Sequence, residues 1–210
     1  MMKFAPEGYP FILFFGLVTI AAAFFGGASY AFLPFILTLF MLYFFRDPER
    51  IIPADKNVFV SPADGKVIAI RDVHESKYID ADVKEVSIFM SPMNVHVNRA
   101  PCDGKVKTVR HNKGRFCAAY KDEASISNEN IEMVLETKYG DVLVRQVAGF
   151  VARRAVCRKK EGEMLRRGER YGVIKFSSRL DMYIPTSSKI RTKLGEMVKA
   201  GETIIGEIPD

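Results

Sequence analysis

Two apolar runs at the start of the chain constrain it more than any other feature. From Tyr9 to Phe25 the sequence YPFILFFGLVTIAAAFF carries no charge, and after Gly26-Gly27-Ala28-Ser29 a second uncharged run, YAFLPFILTLFMLYFF, extends from Tyr30 to Phe45. Each is slightly shorter than the ~20 residues that a straight membrane span requires. Two short spans joined by a Gly-rich turn, or a hairpin dipping into one leaflet, both satisfy the pattern. A cleaved signal peptide fits poorly, because the first run lacks a clear basic leader and a second apolar run follows at once. Lys3 precedes the hairpin, and Arg46 and Arg50 follow it. The positive-inside bias then places both flanks, and the domain behind them, on the cytoplasmic side of the cell membrane.

Behind the hairpin the pattern changes to short runs rich in Val and Ile, bounded by Gly, Pro, Asp and Asn: VFVSPADGKVIAI, KEVSIFMSPMNVHVNRAPCDGKVKTV, IEMVLETKYGDVLVRQVAG and GVIKFSSRLDMYIP. These read as strands, with turns at Asp64-Gly65, Asp103-Gly104 and Gly140-Asp141. No long amphipathic helix interrupts them. The predicted class is mainly β: an antiparallel, β-rich, barrel-sandwich-like domain over residues 47–210, preceded by an α-helical membrane-anchoring hairpin over residues 1–46. A chain of 210 residues has room for one such core besides an anchor. The stretch KIRTKLGEMVKAGETIIGEI, Lys189 to Ile208, has the strand-turn-strand rhythm of the hairpins in biotinyl and lipoyl carriers, but lacks their modified lysine tip, so it reads as structural.

A net charge of +6 and a pI near 9.2 fit an anionic partner, and the hairpin points to an anionic membrane surface rather than nucleic acid. No aromatic residues alternate with the basic clusters Arg153-Arg154, Arg158-Lys159-Lys160 and Arg166-Arg167, as a nucleic-acid groove would require. These clusters either lie on lipid headgroups or form a solvated face. Three cysteines, Cys102, Cys117 and Cys157, stand far apart without a CxxC, so neither a disulfide framework nor a zinc site is indicated.

Three histidines leave few candidates for a general base. His96 stands in SPMNVHVNRAP, where strand alternation would send Val95 and Val97 one way and His96 the other. His74 and His111 lie in polar stretches that read as loops. Asp64 in SPADG serves equally as a turn-former, and Ser177-Ser178 as an ordinary strand pair. The lipase elbow, the phosphate-binding loop and the dinucleotide fingerprint are absent.

Taken together and in order, FFRDPERIIP after an apolar hairpin, SPADGKV, SPMNVHVNRAPCDGKV, NENIEMVLET, QVAGFVARR and IKFSSRLDMYIP closely resemble the short bacterial and archaeal-like form of phosphatidylserine decarboxylase, over about Phe44 to Ile208. The resemblance implies a proenzyme that cuts its own backbone between Ser177 and Ser178, giving a large chain of residues 1–177 and a small chain of residues 178–210. Ser178 becomes a pyruvoyl group, the only cofactor implied; neither pyridoxal phosphate nor a metal is. That group forms a Schiff base with the amine of phosphatidylserine in the bilayer and accepts the electrons released with carbon dioxide.

The same resemblance assigns His96 as the base and Asp64 as the residue that orients it, following the logic of a serine-hydrolase triad. Two positions depart from the family pattern: Ser177 stands where glycine is common, and Arg99 stands where long-form members carry a second histidine. Either His96 then serves both self-processing and decarboxylation, or Arg99 binds the substrate's carboxylate or phosphate. A homo-oligomer is a further expectation carried by the family. The alternatives are a decarboxylase of another serine phospholipid such as archaetidylserine, and a membrane-anchored β-sandwich binding protein that no longer processes itself.

Overall fold

The computed structural model describes residues 3–114, 128–149, 154–175 and 178–209. Ser177, Cys117 and Arg153 lie outside them. The chain divides into two units, Met1–Glu49 and Arg50–Asp210.

In the first unit, helix α1 (Tyr9–Gly26) and helix α2 (Ala28–Phe44) are joined at Gly27, whose φ of +76° is a backbone conformation that glycine adopts without a steric cost. Strands β1 (Lys3–Phe4) and β2 (Arg46–Asp47) pair antiparallel at the open end of the hairpin. The two helices pack on each other, with the hydroxyls of Thr19 and Thr38 3.1 Å apart. Leu13, Phe14, Leu17, Ile20, Phe24, Phe25, Phe32 and Leu33 point outward. So much exposed apolar surface is what a lipid environment requires. The helical stretch Pro6–Gly26 is long and apolar enough to cross a membrane. The 17 residues of α2 span about 26 Å at 1.5 Å per residue, a few Å less than a ~30 Å hydrocarbon core.

The second unit is built from β3 (Val58–Val60), β4 (Gly65–Glu75), β5 (Ala81–Met90), β6 (Val97–Arg99), β7 (Gly104–Asn112), β8 (Asn130–Thr137), β9 (Gly140–Ala148), β10 (Ala155–Cys157), β11 (Met164–Leu165), β12 (Arg170–Ile174), β13 (Ser178–Pro185), β14 (Lys189–Ile190), β15 (Met197–Val198) and β16 (Ile204–Glu207). Among the described residues no helix occurs here. An antiparallel sheet runs in the order β11-β7-β8-β9-β13-β5-β4-β15, accompanied by two three-stranded sheets, β10-β12-β6 and β14-β16-β3. One apolar core joins all three: Val86, Ile88, Met133, Val144, Leu180 and Met182 from the large sheet, Tyr171 and Ile174 from the second, and Phe59 and Ile205 from the third. The expected β-rich class and helical hairpin are both present. His74 and His111, expected in loops, instead lie in β4 and β7, because these strands run past the apolar stretch into polar sequence. There His74 faces Asp82 at 3.0 Å and His111 faces Glu129 at 3.1 Å.

The outer face of the large sheet is polar yet buried. Arg179, Asp181 and Tyr183 alternate along β13 with the core residues Leu180, Met182 and Ile184, as the two-residue period of a strand demands. Arg179 donates to Asp181 at 2.5 Å and to the Ser87 hydroxyl at 2.8 Å, while Arg145 reaches the Tyr183 hydroxyl at 2.7 Å. Arg145 also donates to Glu132 at 2.9 Å, and Lys77, Tyr78 and Asn112 donate to the other Glu132 oxygen at 2.7, 2.8 and 2.6 Å. Burial alone would raise the Glu132 pKa, but the hydrogen bonds from Lys77 and Tyr78 and the Arg145 charge outweigh it and hold the carboxyl below its ordinary value. Glu85 is shifted the other way, by burial first and the Asp181 charge second.

A carboxyl lowered by folding contributes stability above its unfolded pKa of ~4.3 and loses it as the pH falls through the folded value. Glu132→Gln is therefore expected to destabilise the protein by about 3 kcal/mol at pH 7, since it removes the negative charge that the buried Arg145 guanidinium faces. The deficit should shrink below about pH 4. Glu85→Gln removes a charge that burial and Asp181 already disfavour, and should cost under ~1 kcal/mol. Urea unfolding of both variants across pH checks this contrast.

Candidate active site

Strand register gathers the candidate residues at one end of the large sheet. Ser178, the first residue of β13, lies opposite Met90, the last pair of β5, on one side and opposite Ala148 at the end of β9 on the other. On the far side of β5, β4 begins at Gly65, with Lys66 paired to Phe89. Asp64 thus enters at the same end, two strands from Ser178, or roughly 10 Å at ordinary strand spacing. The β5-to-β6 connection carries His96 past this end. A cavity of about 540 Å³ lies at the other end, among Lys56, Gly104, Lys105, Glu136 and Tyr139, and has no part in this cluster.

Ser178 is fully buried, on the inner face with Leu180 and Met182. Its hydroxyl donates to the Met90 thioether at 3.6 Å. Sulfur is a weak acceptor, so the hydroxyl stands in a dry site without a strong hydrogen bond holding it. The Asn98 side-chain amide approaches the same sulfur at 3.9 Å, and Gln146 donates to Asn98 Oδ1 at 2.8 Å.

His96 is 1% exposed. Val95 and Val97 are buried as well, so the expected alternation of inside and outside fails here, because both sides of the segment are covered. Asn94 caps its own turn by accepting from the Ser91 N–H and hydroxyl at 2.9 and 2.8 Å. Its carbonyl lies 3.0 Å from His96 Nδ1. A carbonyl can only accept, so Nδ1 carries the proton, and the lone pair of a neutral ring resides on Nε2.

Asp64 is 8% exposed. Its carboxylate accepts from Arg50 Nη2 at 3.0 and 2.8 Å and from the Ala200 N–H at 2.8 Å. Arg50 also faces Glu202 at 3.6 Å. The side-chain hydrogen bonds of Asp64 and Ser178 therefore go to partners other than His96. The three residues share one end of the sheet without forming a bonded triad. Arg99 is buried, donates to the Gly168 carbonyl at 2.9 Å, and is tied through its N–H to the Pro62 carbonyl, two residues before Asp64. Two members of the basic clusters have structural partners: Arg167 holds the carbonyls of Pro53 and Asp55, and Lys159 pairs with Glu169.

A pyruvoyl group needs a small, dry place at the head of a strand, where nothing retains the serine in its hydroxyl form. The burial of Ser178 between Met90 and Ala148, with a thioether as its hydroxyl's acceptor among the described residues, fits that requirement. Neither described cysteine competes as a nucleophile at a neutral working pH. Burial pushes the Cys102 thiol up to about 12 and raises Cys157 as well.

The ties on Asp64 can be tested directly. Arg50→Met leaves a nearly buried carboxylate with a single backbone donor, and is expected to lower stability by about 2 kcal/mol. Asp64→Asn in the same chain should recover part of the loss, with a coupling energy above ~1 kcal/mol in a double-mutant cycle read by urea unfolding.

The chain is similar along most of its length to known proteins. Residues 37–206 match the family model described as phosphatidylserine decarboxylase. Among similar curated proteins, the phosphatidylserine decarboxylase proenzyme of Geotalea uraniireducens is 45% identical, over 98% of this chain and 96% of its own length. The proenzyme of Syntrophus aciditrophicus is 46% identical over 96% of both chains. That of Ralstonia pickettii is 42% identical, over 97% of this chain and 95% of its own length.

Proposed function

The chain belongs to the phosphatidylserine decarboxylase family, and on that premise we propose that it cuts itself between Ser177 and Ser178 and then converts phosphatidylserine to phosphatidylethanolamine and carbon dioxide. The observation that carries this reading is Ser178 itself. It is a buried serine at the head of a central strand whose hydroxyl, among the described residues, donates to a thioether, in a chain related along its length to proenzymes.

In this reading the Ser178 hydroxyl attacks the carbonyl of residue 177, and the acyl group passes from nitrogen to oxygen. A serine hydroxyl is a poor nucleophile at neutral pH and needs a base. His96 takes that role through Nε2, because Asn94 fixes the tautomer from the other side of the ring. Asp64, at the same end of the sheet, stabilises the imidazolium that results. Arg99 is the candidate for binding the carboxylate or phosphate of the substrate, as a planar guanidinium suits. When formed, the pyruvoyl group supplies a ketone that combines with the substrate amine and takes up the electron pair left by carbon dioxide. The apolar hairpin supports action at a membrane, where a diacyl substrate resides, with the domain on the cytoplasmic side.

Intact-mass spectrometry of detergent-purified protein, with and without a carbonyl-reactive hydrazine, tests this. The expected result is two chains divided between Ser177 and Ser178, the small one shifted by hydrazine, in a preparation that decarboxylates phosphatidylserine in vesicles. Ser178→Ala should remain one chain, and His96→Gln should slow the cut by roughly 100-fold or more. A wild-type chain that stays whole, and does so again as Ser177→Gly, would sink the proposal.

A further inference from the structure

Two buried carboxamides beside Ser178 take no part in the roles assigned above. Asn98 on β6 and Gln146 on β9 are both fully buried, in positions where an apolar side chain would otherwise fill the core. Gln146 Nε2 donates to Asn98 Oδ1 at 2.8 Å and approaches the Val156 carbonyl at 3.4 Å. Those two acceptors fix the orientation of both amides. Turning Gln146 over would set its oxygen against the Val156 carbonyl, and turning Asn98 over would set its amide nitrogen against the Gln146 amide. Asn98 Nδ2 must therefore face Met90, whose sulfur lies 3.9 Å from it and 3.6 Å from Ser178 Oγ.

The arrangement is built rather than incidental. Gly172, paired with Asn98 across β12 and β6, leaves room for it: a Cβ there would come within 2.9 Å of Gln146 Nε2 and 2.2 Å of the Val156 carbonyl oxygen. Gln146 Oε1 has no hydrogen-bond partner among the described residues. The polar pair thus carries a desolvation cost to aim one N–H at a thioether, which rewards it little.

We propose that Asn98 is a catalytic residue of self-processing, donating a hydrogen bond to Ser178 Oγ as that oxygen leaves, and that Gln146 is the residue that positions it. The inference rests on the self-cleavage reading above. After the acyl shift, Oγ carries the residue 1–177 acyl group as an ester. In the elimination that follows, a base takes the Ser178 Cα proton. The C–H electron pair becomes the Cα–Cβ double bond, the Cβ–Oγ bond breaks, and Oγ departs as part of the new C-terminal carboxylate. Negative charge grows on Oγ in that step, and a fixed amide donor in a dry site stabilises it. Such a donor helps elimination far more than the preceding attack, where charge on Oγ is being lost.

The consequence is a distinctive trapped species. Asn98→Ala should slow chain separation by at least about tenfold while the full-length protein accumulates as ester, seen as a chain that hydroxylamine cuts between residues 177 and 178. Gln146→Met, which leaves the Asn98 amide in place but unaligned, should accumulate the same ester to a smaller extent. Should Asn98→Ala fail to give a native near-ultraviolet circular dichroism spectrum, Gln146→Met decides. Wild-type cutting rates in the folded variants, or a slowed chain that resists hydroxylamine, would overturn the inference. Ser178→Ala separates the two proposals: it should be uncut and hydroxylamine-resistant, and a wild-type chain that never cuts would count against self-cleavage itself.

Discussion

The register of β13 is the constraint on which the rest of the catalytic unit depends. This strand is hydrogen-bonded along both edges, to β5 and to β9, and its residues alternate between an apolar inner face and an ionic outer one. A slip of one residue would turn Ser178 toward the charges and Arg179 into the core. The outer network opposes this, since Arg179 bonds Ser87 on β5, and Tyr183 bonds Glu85 on β5 and Arg145 on β9, in the observed register. A buried ion network adds little net stability compared with apolar packing, but one that tolerates a single alignment can serve specificity. Here it fixes which way the serine points.

The same strand explains how the proposed cut leaves the fold intact. Residues after Ser178 supply β13, β14, β15 and β16, which pair with β5, β9, β4 and β3. A small chain beginning at Ser178 would therefore stay threaded through all but the second sheet. Arg179, buried and bonded to Ser87 and Asp181, would hold the first turn of the new chain end.

Much of this was legible in the sequence, and its limits have physical causes. The hairpin was plain because lipid-facing helices are apolar on all sides, and the strands were plain because Val and Ile runs end at Gly and Asp. Burial does not follow the alternation of side chains around His96 and along β13, where both faces are covered and Arg179, Asp181 and Ser178 are as buried as Leu180. Polar residues in a fully covered strand cannot be ranked by periodicity. Asn98 and Gln146 stood in VNRAP and QVAG with nothing local to single them out, since their meaning lies in a contact across 48 residues. Arg50 was read only as a charge flanking the hairpin, and its bond to Asp64 is tertiary. The one available signal was a run of amide and charged residues in segments otherwise apolar enough to be core.

The acceptors around Ser178 and Asp64 differ in strength, and the difference has a chemical sense. Asp64 has two strong donors, Arg50 and the Ala200 N–H, and through them ties the first residue of the catalytic unit to the turn before β16. Ser178, at the same end of the sheet, has sulfur as its side-chain acceptor among the described residues. A strong acceptor at Met90 would fix the hydroxyl rotamer and would have to be given up before attack, raising the barrier by the strength of that bond. A thioether fills the same volume, excludes water and asks almost nothing in return. The site is thus firmly bonded where the scaffold would have to survive the proposed loss of a peptide bond, and, among the described residues, loosely bonded at the atom that would have to move.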